Sequence, residues 1–450
     1  MPRVTHPGGI RKAHMPHLLA WGLCYAWIMV FATWHTATPA SLLFFTAPAR
    51  SVMHMTLLLT CALLICFVPL RGWRALARGG GAALLPLTAL FLALPGPWVP
   101  LCAGLAMGTL CTGLLIFYVH LLNNTEKFYA LLGGNALVAL LGLLYQLGLL
   151  RGAAEKIVCG ALLLAAVTAL FLLKKEPVAA RGEATPKPTR MTYFSLWLNL
   201  AFAAMVLGGG ILMLGAGEQP PLRYAFAFGG MLAGCGVYFA VFAWLRRSLQ
   251  TTWSVTFASF FLAMFLRALW PASAPAALAS AGLTGVSGAI GFLNMYYNAG
   301  VVGKKFGMRS HLALTLWCAV LGGGFCVGAG LYANRLDAEG FAAVMMAVSA
   351  VLVAAYFILS PVLSRSYFAE QWVDDAECRD VQPRTNAPAP APAPWKLPAL
   401  HLPADFAARL RPGAIFSRLE GQPSHQAKYP LFSAFSSTSR IPDIVCSMRY

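Results

Sequence analysis

Apolar runs of about twenty residues recur along the chain, each closed off by a short polar or basic stretch. At about 1.5 Å per residue, that is the length a helix needs to cross the hydrocarbon of a bilayer. In lipid a helix satisfies its own backbone donors and acceptors, so such runs take helical form. The strict alternation of a membrane barrel strand is absent from the sequence. The pattern predicts an all-α integral membrane protein of about twelve transmembrane helices. The spans are 17–36, 53–70, 82–94, 98–122, 128–150 and 157–173 in a first half, and 193–214, 224–244, 253–270, 274–300, 311–332 and 340–363 in a second. The third is short, because Pro95, Gly96 and Pro97 break it from the fourth.

The segments outside the spans differ in character. Residues 1–16 form a short N-terminal stretch, and 174–192, rich in Pro, Lys, Arg and Ala, is the longest connection and separates the halves. Residues 364–450 begin with an acidic patch at Asp374, Asp375, Glu377 and Asp380, followed by alternating Ala and Pro over 387–394. Alternating Ala-Pro is a semi-rigid extended spacer, and the turn-rich remainder holds one short helical stretch over 404–410. This tail has too little apolar area to offset the entropy of ordering it, so it is expected to be largely disordered.

Composition sharpens this picture. With 59% hydrophobic and 11% charged residues the chain cannot cover the surface of a soluble globular domain. The net charge of +18 invites a nucleic-acid reading, but the basic residues sit at the ends of apolar runs, where they fix topology and meet anionic lipid. With the N-terminus inside, seventeen Lys and Arg fall in inner loops against five in outer ones. This bias places both termini in the cytoplasm of a multi-pass protein of the plasma membrane. The expected surroundings are the lipid bilayer, with no nucleic-acid partner. Nine cysteines lie within apolar runs, with no C-x-x-C pair and no His/Cys cluster at metal spacing, so no metal and no cofactor is implied.

The halves are related. A shift of 178 residues brings Phe117-Tyr118-Val119-His120 onto Met295-Tyr296-Tyr297-Asn298, and Lys127-Phe128 onto Lys305-Phe306. Six helices is an even number, so the two repeats enter the membrane in the same direction, about a pseudo-two-fold axis along its normal. Twelve spans, a basic mid-chain loop and parallel six-helix halves over residues 18–363 resemble the major facilitator superfamily (MFS). That family usually carries Gly-x-x-x-Asp-Arg-x-Gly-Arg-Arg between spans two and three. Here the stretch reads Gly72-Trp73-Arg74-Ala75-Leu76-Ala77-Arg78-Gly79, which keeps basic residues and lacks the acidic one. No functional residue carries over from the family.

Chemistry within the spans is sparse. As drawn, no Asp or Glu falls inside one; Glu126 and Glu155 are placed in loops. The nucleophile, base and orienter of an enzyme are missing, so the chain is not expected to be one. Amides then stand out, because each must be paired in hydrocarbon or face a wet interior. Asn294 and Asn298 share a face of span ten with Tyr297 alongside, Asn135 and Gln146 share a face of span five, and Asn199 lies early in span seven. Interhelical hydrogen bonding explains such amides as readily as solute binding does. Tyr25 lies mid-span and can line a cavity or pack in the core. His120, at a span end, can titrate near neutral pH as a proton site. Arg267 lies close enough to the outer surface to snorkel.

The implied function is secondary transport of a small organic solute by alternating access. The alternative is a membrane-embedded ligand sensor that signals through the cytoplasmic tail. The topology is testable. On a cysteine-free background, a cysteine replacing Arg181 should resist labelling by an impermeant maleimide added outside, whereas one replacing Gly217 should react. Labelling of both from the same side would show the orientation to be wrong.

Overall fold

A computed structural model of the chain describes residues 14–33, 47–93, 98–173, 222–244 and 251–306, with isolated positions between 10 and 354. The chain divides into Met1–Pro383 and Arg384–Tyr450, and every described residue belongs to the first unit. Predicted spans seven, eleven and twelve, the 174–192 loop, the turn at 95–97 and the tail lie outside the described residues.

Nine α-helices are described: α1 Met15–Trp27, α2 Ala47–Phe67, α3 Trp73–Ala93, α4 Trp98–His120, α5 Asn124–Gln146, α6 Ala153–Leu172, α7 Arg223–Phe239, α8 Thr251–Leu269 and α9 Ala274–Phe306. α1 continues as a π-helical segment, Ile28–Thr33, and α7 as another, Ala240–Trp244. Six helices among the described residues are long and apolar enough to cross a membrane.

Three boundaries depart from expectation, each for a local reason. α5 begins at Asn124, four residues before the predicted 128, because Asn123 and Glu126 form a capping box. Asn123 Oδ1 accepts from the Glu126 amide at 2.7 Å, and Glu126 Oε2 accepts from the Asn123 amide at 2.9 Å. α3 is no short helix: it starts at Trp73 and absorbs most of the basic stretch read as a loop. Arg74 and Arg78, four residues apart on one face, lie against the end of α6. Arg74 Nη2 donates to the Leu173 carbonyl, and Arg78 donates to Leu170 at 3.1 Å, to Phe171 and to Leu173 at 3.2 Å. The last carbonyls of α6 have no acceptor role left inside the helix, and the two guanidiniums fill it. α9 runs to Phe306, six residues past the predicted 300.

The repeat is visible in helix bounds and packing. A shift of 178 residues carries α3 onto 251–271, where α8 occupies Thr251–Leu269, and α4 onto 276–298, within α9. α2 and α3 pack on α4, as α7 and α8 pack on α9. Small residues allow the close approach of these pairs. A Cβ on Gly108 of α4 would lie 2.8 Å from the Leu57 carbonyl of α2, and one on Gly230 of α7 would run into the Gly282 carbonyl of α9. α1 packs on α5 and α6, where Trp27 Nε1 donates to the Cys159 carbonyl at 3.1 Å. The halves meet where α5 faces α7, with Phe128 stacked on Tyr238 at 5.4 Å and on Phe242 at 3.9 Å.

The Gly230 contact generates a prediction. Gly230→Ala should destabilise the protein by about 1–3 kcal/mol, read as a lower thermal unfolding midpoint in detergent. Gly229→Ala, next in sequence and with nothing within 4 Å of its added methyl, should not. Equal midpoints for the two variants would contradict the α7–α9 seam.

Candidate functional site

Halfway along the bundle, α1 and α5 are joined by two of the residues singled out in the sequence. The Tyr25 hydroxyl donates to Asn135 Oδ1 at 3.1 Å, and Asn135 Nδ2 donates to the Leu131 carbonyl at 2.9 Å. Asn135 is the middle residue of the 23 in α5 and is buried. One amide hydrogen of Asn135 is left over by these two bonds.

Aromatic rings from both halves gather around this pair. Trp21 stacks on Tyr25 with centroids 4.8 Å apart and on Tyr118 of α4 at 5.4 Å. Phe292 of α9 lies 6.3 Å from Tyr25 and 4.6 Å from Tyr296. Sequence reasoning picked Tyr25 and Asn135 individually. It passed over Phe292 and left Trp21, Tyr118 and Tyr296 unassigned to any site, because an aromatic at helical spacing reads first as core.

The other candidates are placed elsewhere. Asn294 turns toward α8, where its Oδ1 accepts from the Thr252 hydroxyl at 3.0 Å; its Nδ2 is buried without a hydrogen-bond partner. Tyr297 is fully buried in the main apolar core, and Asn298, one turn past Asn294 on α9, is buried as well. His120 is the last residue of α4 and is half-buried. Asn199 lies outside the described residues. Arg267 does not snorkel: it is 4% exposed and its Nη1 donates to the Pro271 carbonyl at 2.8 Å, just past the end of α8.

The bundle has one end at which α1, α3 and α5 begin and α4, α6 and α9 finish, and basic side chains concentrate there. At this basic end the halves are tied together. Lys127 Nζ on α5 donates to the Gly300 carbonyl of α9 at 3.1 Å, and Lys304 Nζ on α9 donates to the Leu122 carbonyl after α4 at 3.3 Å. Between them the Tyr118 hydroxyl donates to the Tyr296 carbonyl at 3.2 Å, a bond between residues separated by 178 positions. Each lysine supplies a cationic donor to carbonyls near the finish of a helix in the opposite half, where the helix dipole favours it.

The acids also move. Glu126 and Glu155, read as loop residues, lie in the first turns of α5 and α6 and are buried. Glu126 is fully inaccessible and its Oε2 lies 3.0 Å from Nδ1 of His14, the residue that precedes α1. The Asn-x-x-Glu spacing of a capping box was the signal that places Glu126 on the helix.

A bacterial homologue of the iron transporter ferroportin, in an outward-facing state, superposes with a TM-score of 0.52 at 15% identity, covering 79% of this chain and 100% of that one. The fold is of the major facilitator type. The chain thus has the multi-pass membrane architecture that its spans imply. A major facilitator superfamily transporter, FucP, in the outward conformation, matches with a TM-score of 0.48 at 15% identity over 76% of this chain and 98% of that one. The nucleoside transporter NupG matches at 0.45 and 14%, over 76% and 99%. No protein-family model matches the sequence, and no curated protein matches it.

The ties at the basic end can be cut singly. A hydrogen bond from a charged donor contributes about 1.5–3 kcal/mol. Lys127→Met and Lys304→Met should therefore raise maleimide labelling of a Val119→Cys reporter, which faces Gly303 across the seam, and the double variant should raise it further. Unchanged labelling in the double variant would show that the lysines do not hold this end shut.

Proposed function

We propose that the chain is a secondary carrier that moves a small organic solute by alternating access, with two six-helix halves rocking about the Tyr25–Asn135 site. The observation that carries this reading is the placement of that hydrogen-bonded pair. It sits midway along its helices, within an aromatic group drawn from α1, α4 and α9, and so from both halves. A solute entering there would meet ring faces and one amide, a surface suited to an uncharged or weakly polar molecule. Displacing the Tyr25–Asn135 bond frees a hydroxyl and a carbonyl oxygen to bind it.

The positive-inside bias puts the basic end in the cytoplasm, together with both termini, in the plasma membrane. In that orientation the lysine ties close the cytoplasmic side, which supports an outward-facing state for this conformation. The ferroportin homologue that shares the fold is related to an iron transporter, which supports a carrier. On this reading Asn294 is a packing amide, bonded to Thr252, and Asn298 and Tyr297 support α9 from within the core.

Uptake of a labelled metabolite panel into proteoliposomes tests the reading. For the solute that enters, Asn135→Ala and Tyr25→Phe should weaken apparent affinity by about two- to tenfold, the worth of one neutral hydrogen bond, with little change in thermal midpoint. Asn294→Ala should do the reverse, lowering the midpoint and sparing affinity. If Asn294→Ala weakens affinity and Asn135→Ala does not, the site lies between α8 and α9 instead.

A further inference from the structure

We propose that the solute taken at the Tyr25–Asn135 site is a flat, uncharged aromatic molecule with one amide-like edge, clamped as a single layer between Tyr25 of α1 and Phe292 of α9. The inference rests on the reading of that site given above and adds the class of solute.

Charge narrows the choice first. The pair and its rings come from α1, α4, α5 and α9. α1 and α4 carry no Asp, Glu, Lys or Arg. α5 carries Glu126 and Lys127 in its first turn, and α9 carries Lys304 and Lys305 in its last. Along their helices Lys127 is about 12 Å from Asn135, and Lys304 about 18 Å from Phe292. An ion drawn in here would lose its hydration without gaining a counter-charge from these four helices.

Hydrogen bonding narrows it further. Among the described residues the pair offers one phenol hydroxyl and one carboxamide. A sugar or other polyol brings several hydroxyls, and each one buried without a partner lowers affinity by about tenfold. What fits is an edge with one acceptor and one donor. Its acceptor takes the Tyr25 hydroxyl and its N–H donates to Asn135 Oδ1, replacing both ends of the 3.1 Å bond these residues share.

Ring geometry sets the shape. Trp21 lies against Tyr25 with planes 11° apart, which covers one face and fixes its tilt. This stack needs Gly134 of α5, because a Cβ there would lie 2.7 Å from Tyr25 Cδ1 and 3.3 Å from Trp21 Cζ3. Trp21 and Tyr118 are buried, whereas Tyr25, Phe292 and Tyr296 are half-buried. Phe292 and Tyr296, four apart, share a face of α9. The accessible rings are thus the ones that meet across the halves. Tyr25 and Phe292 stand 6.3 Å apart with planes at 48°, close but not stacked. One aromatic layer between two parallel rings needs about 7 Å, twice the carbon contact distance. A small rocking of the halves reaches that width, and a puckered saturated ring is too thick for it.

Three small probes test the class, with the full chain in nanodiscs and the thermal unfolding midpoint followed against probe concentration. Benzamide has the flat ring and the amide edge. Cyclohexanecarboxamide keeps the edge on a puckered ring, and benzoate keeps the ring with a charged edge. Benzamide should raise the midpoint saturably, at a concentration about tenfold below that needed by either of the others, as two ring–ring contacts would give. Phe292→Leu should abolish the preference for benzamide over cyclohexanecarboxamide, and Phe292→Tyr should retain it. Asn135→Ala should weaken both carboxamides alike. The proposal is overturned by equal effects of the two carboxamides, by stronger binding of benzoate, or by a preference that survives Phe292→Leu. A benzamide response that does not saturate overturns it too. Binding and transport are read separately. Benzamide bound but not taken up supports the site and refutes the carrier, whereas uptake of a polyol or an ion without benzamide binding does the reverse.

Discussion

A helix ends with carbonyl groups that have no donor of their own, and at the edge of a bilayer such groups must be met by something. In this protein basic side chains meet them repeatedly. Arg74 and Arg78 cover the finish of α6 within one half, and Lys127 and Lys304 reach carbonyls near the finish of α9 and α4 across the halves. The cations therefore have two roles at once. Their distribution along the chain carries the orientation proposed for it in the membrane, and their donors stitch helices together at the basic end. The stretch read as a loop is largely helix, and its arginines have the α6 carbonyls as partners.

The middle of the bundle is organised by different forces. There the contacts are aromatic faces and a single amide–phenol bond, with little formal charge among the described residues. Strong, directional contacts at one end and weak, exchangeable ones at the centre suit the proposed rocking of two halves. On that proposal the end holds one state firmly enough to populate it, while the centre gives way to a ligand of modest affinity.

Much of the fold was legible in the sequence because hydrophobic length is a strong signal in a membrane protein. Span four was placed within two residues, span nine within two, and the 178-residue repeat recurs in the alignment of α3 with α8 and of α4 with α9. The misses were at helix starts and finishes. Hydropathy ends a span at the first charged residue, yet Arg74, Lys127 and Lys304 lie on helices whose ends are sheltered by protein rather than by water. Glu126 was assigned to a loop for the same reason, although Asn123 three residues earlier marks a capping box. The candidate site was legible only in part. Tyr25 and Asn135 stood out as polar groups in apolar runs, but their meeting depends on the packing of α1 on α5, which a single sequence does not encode in any local pattern. Nor does it tell that Asn294 faces α8.

The bond from Tyr118 to Tyr296 joins two residues that the repeat makes equivalent. Near a two-fold axis such a bond can be made in one direction or the other: either hydroxyl can reach the other's carbonyl, but the arrangement seen uses Tyr118. Were the two repeats identical in sequence, the two choices would have equal energy. They are not: Val119 and His120 occupy the positions equivalent to Tyr297 and Asn298. The chain's own asymmetry on the axis thus settles which of two equivalent residues donates, here Tyr118.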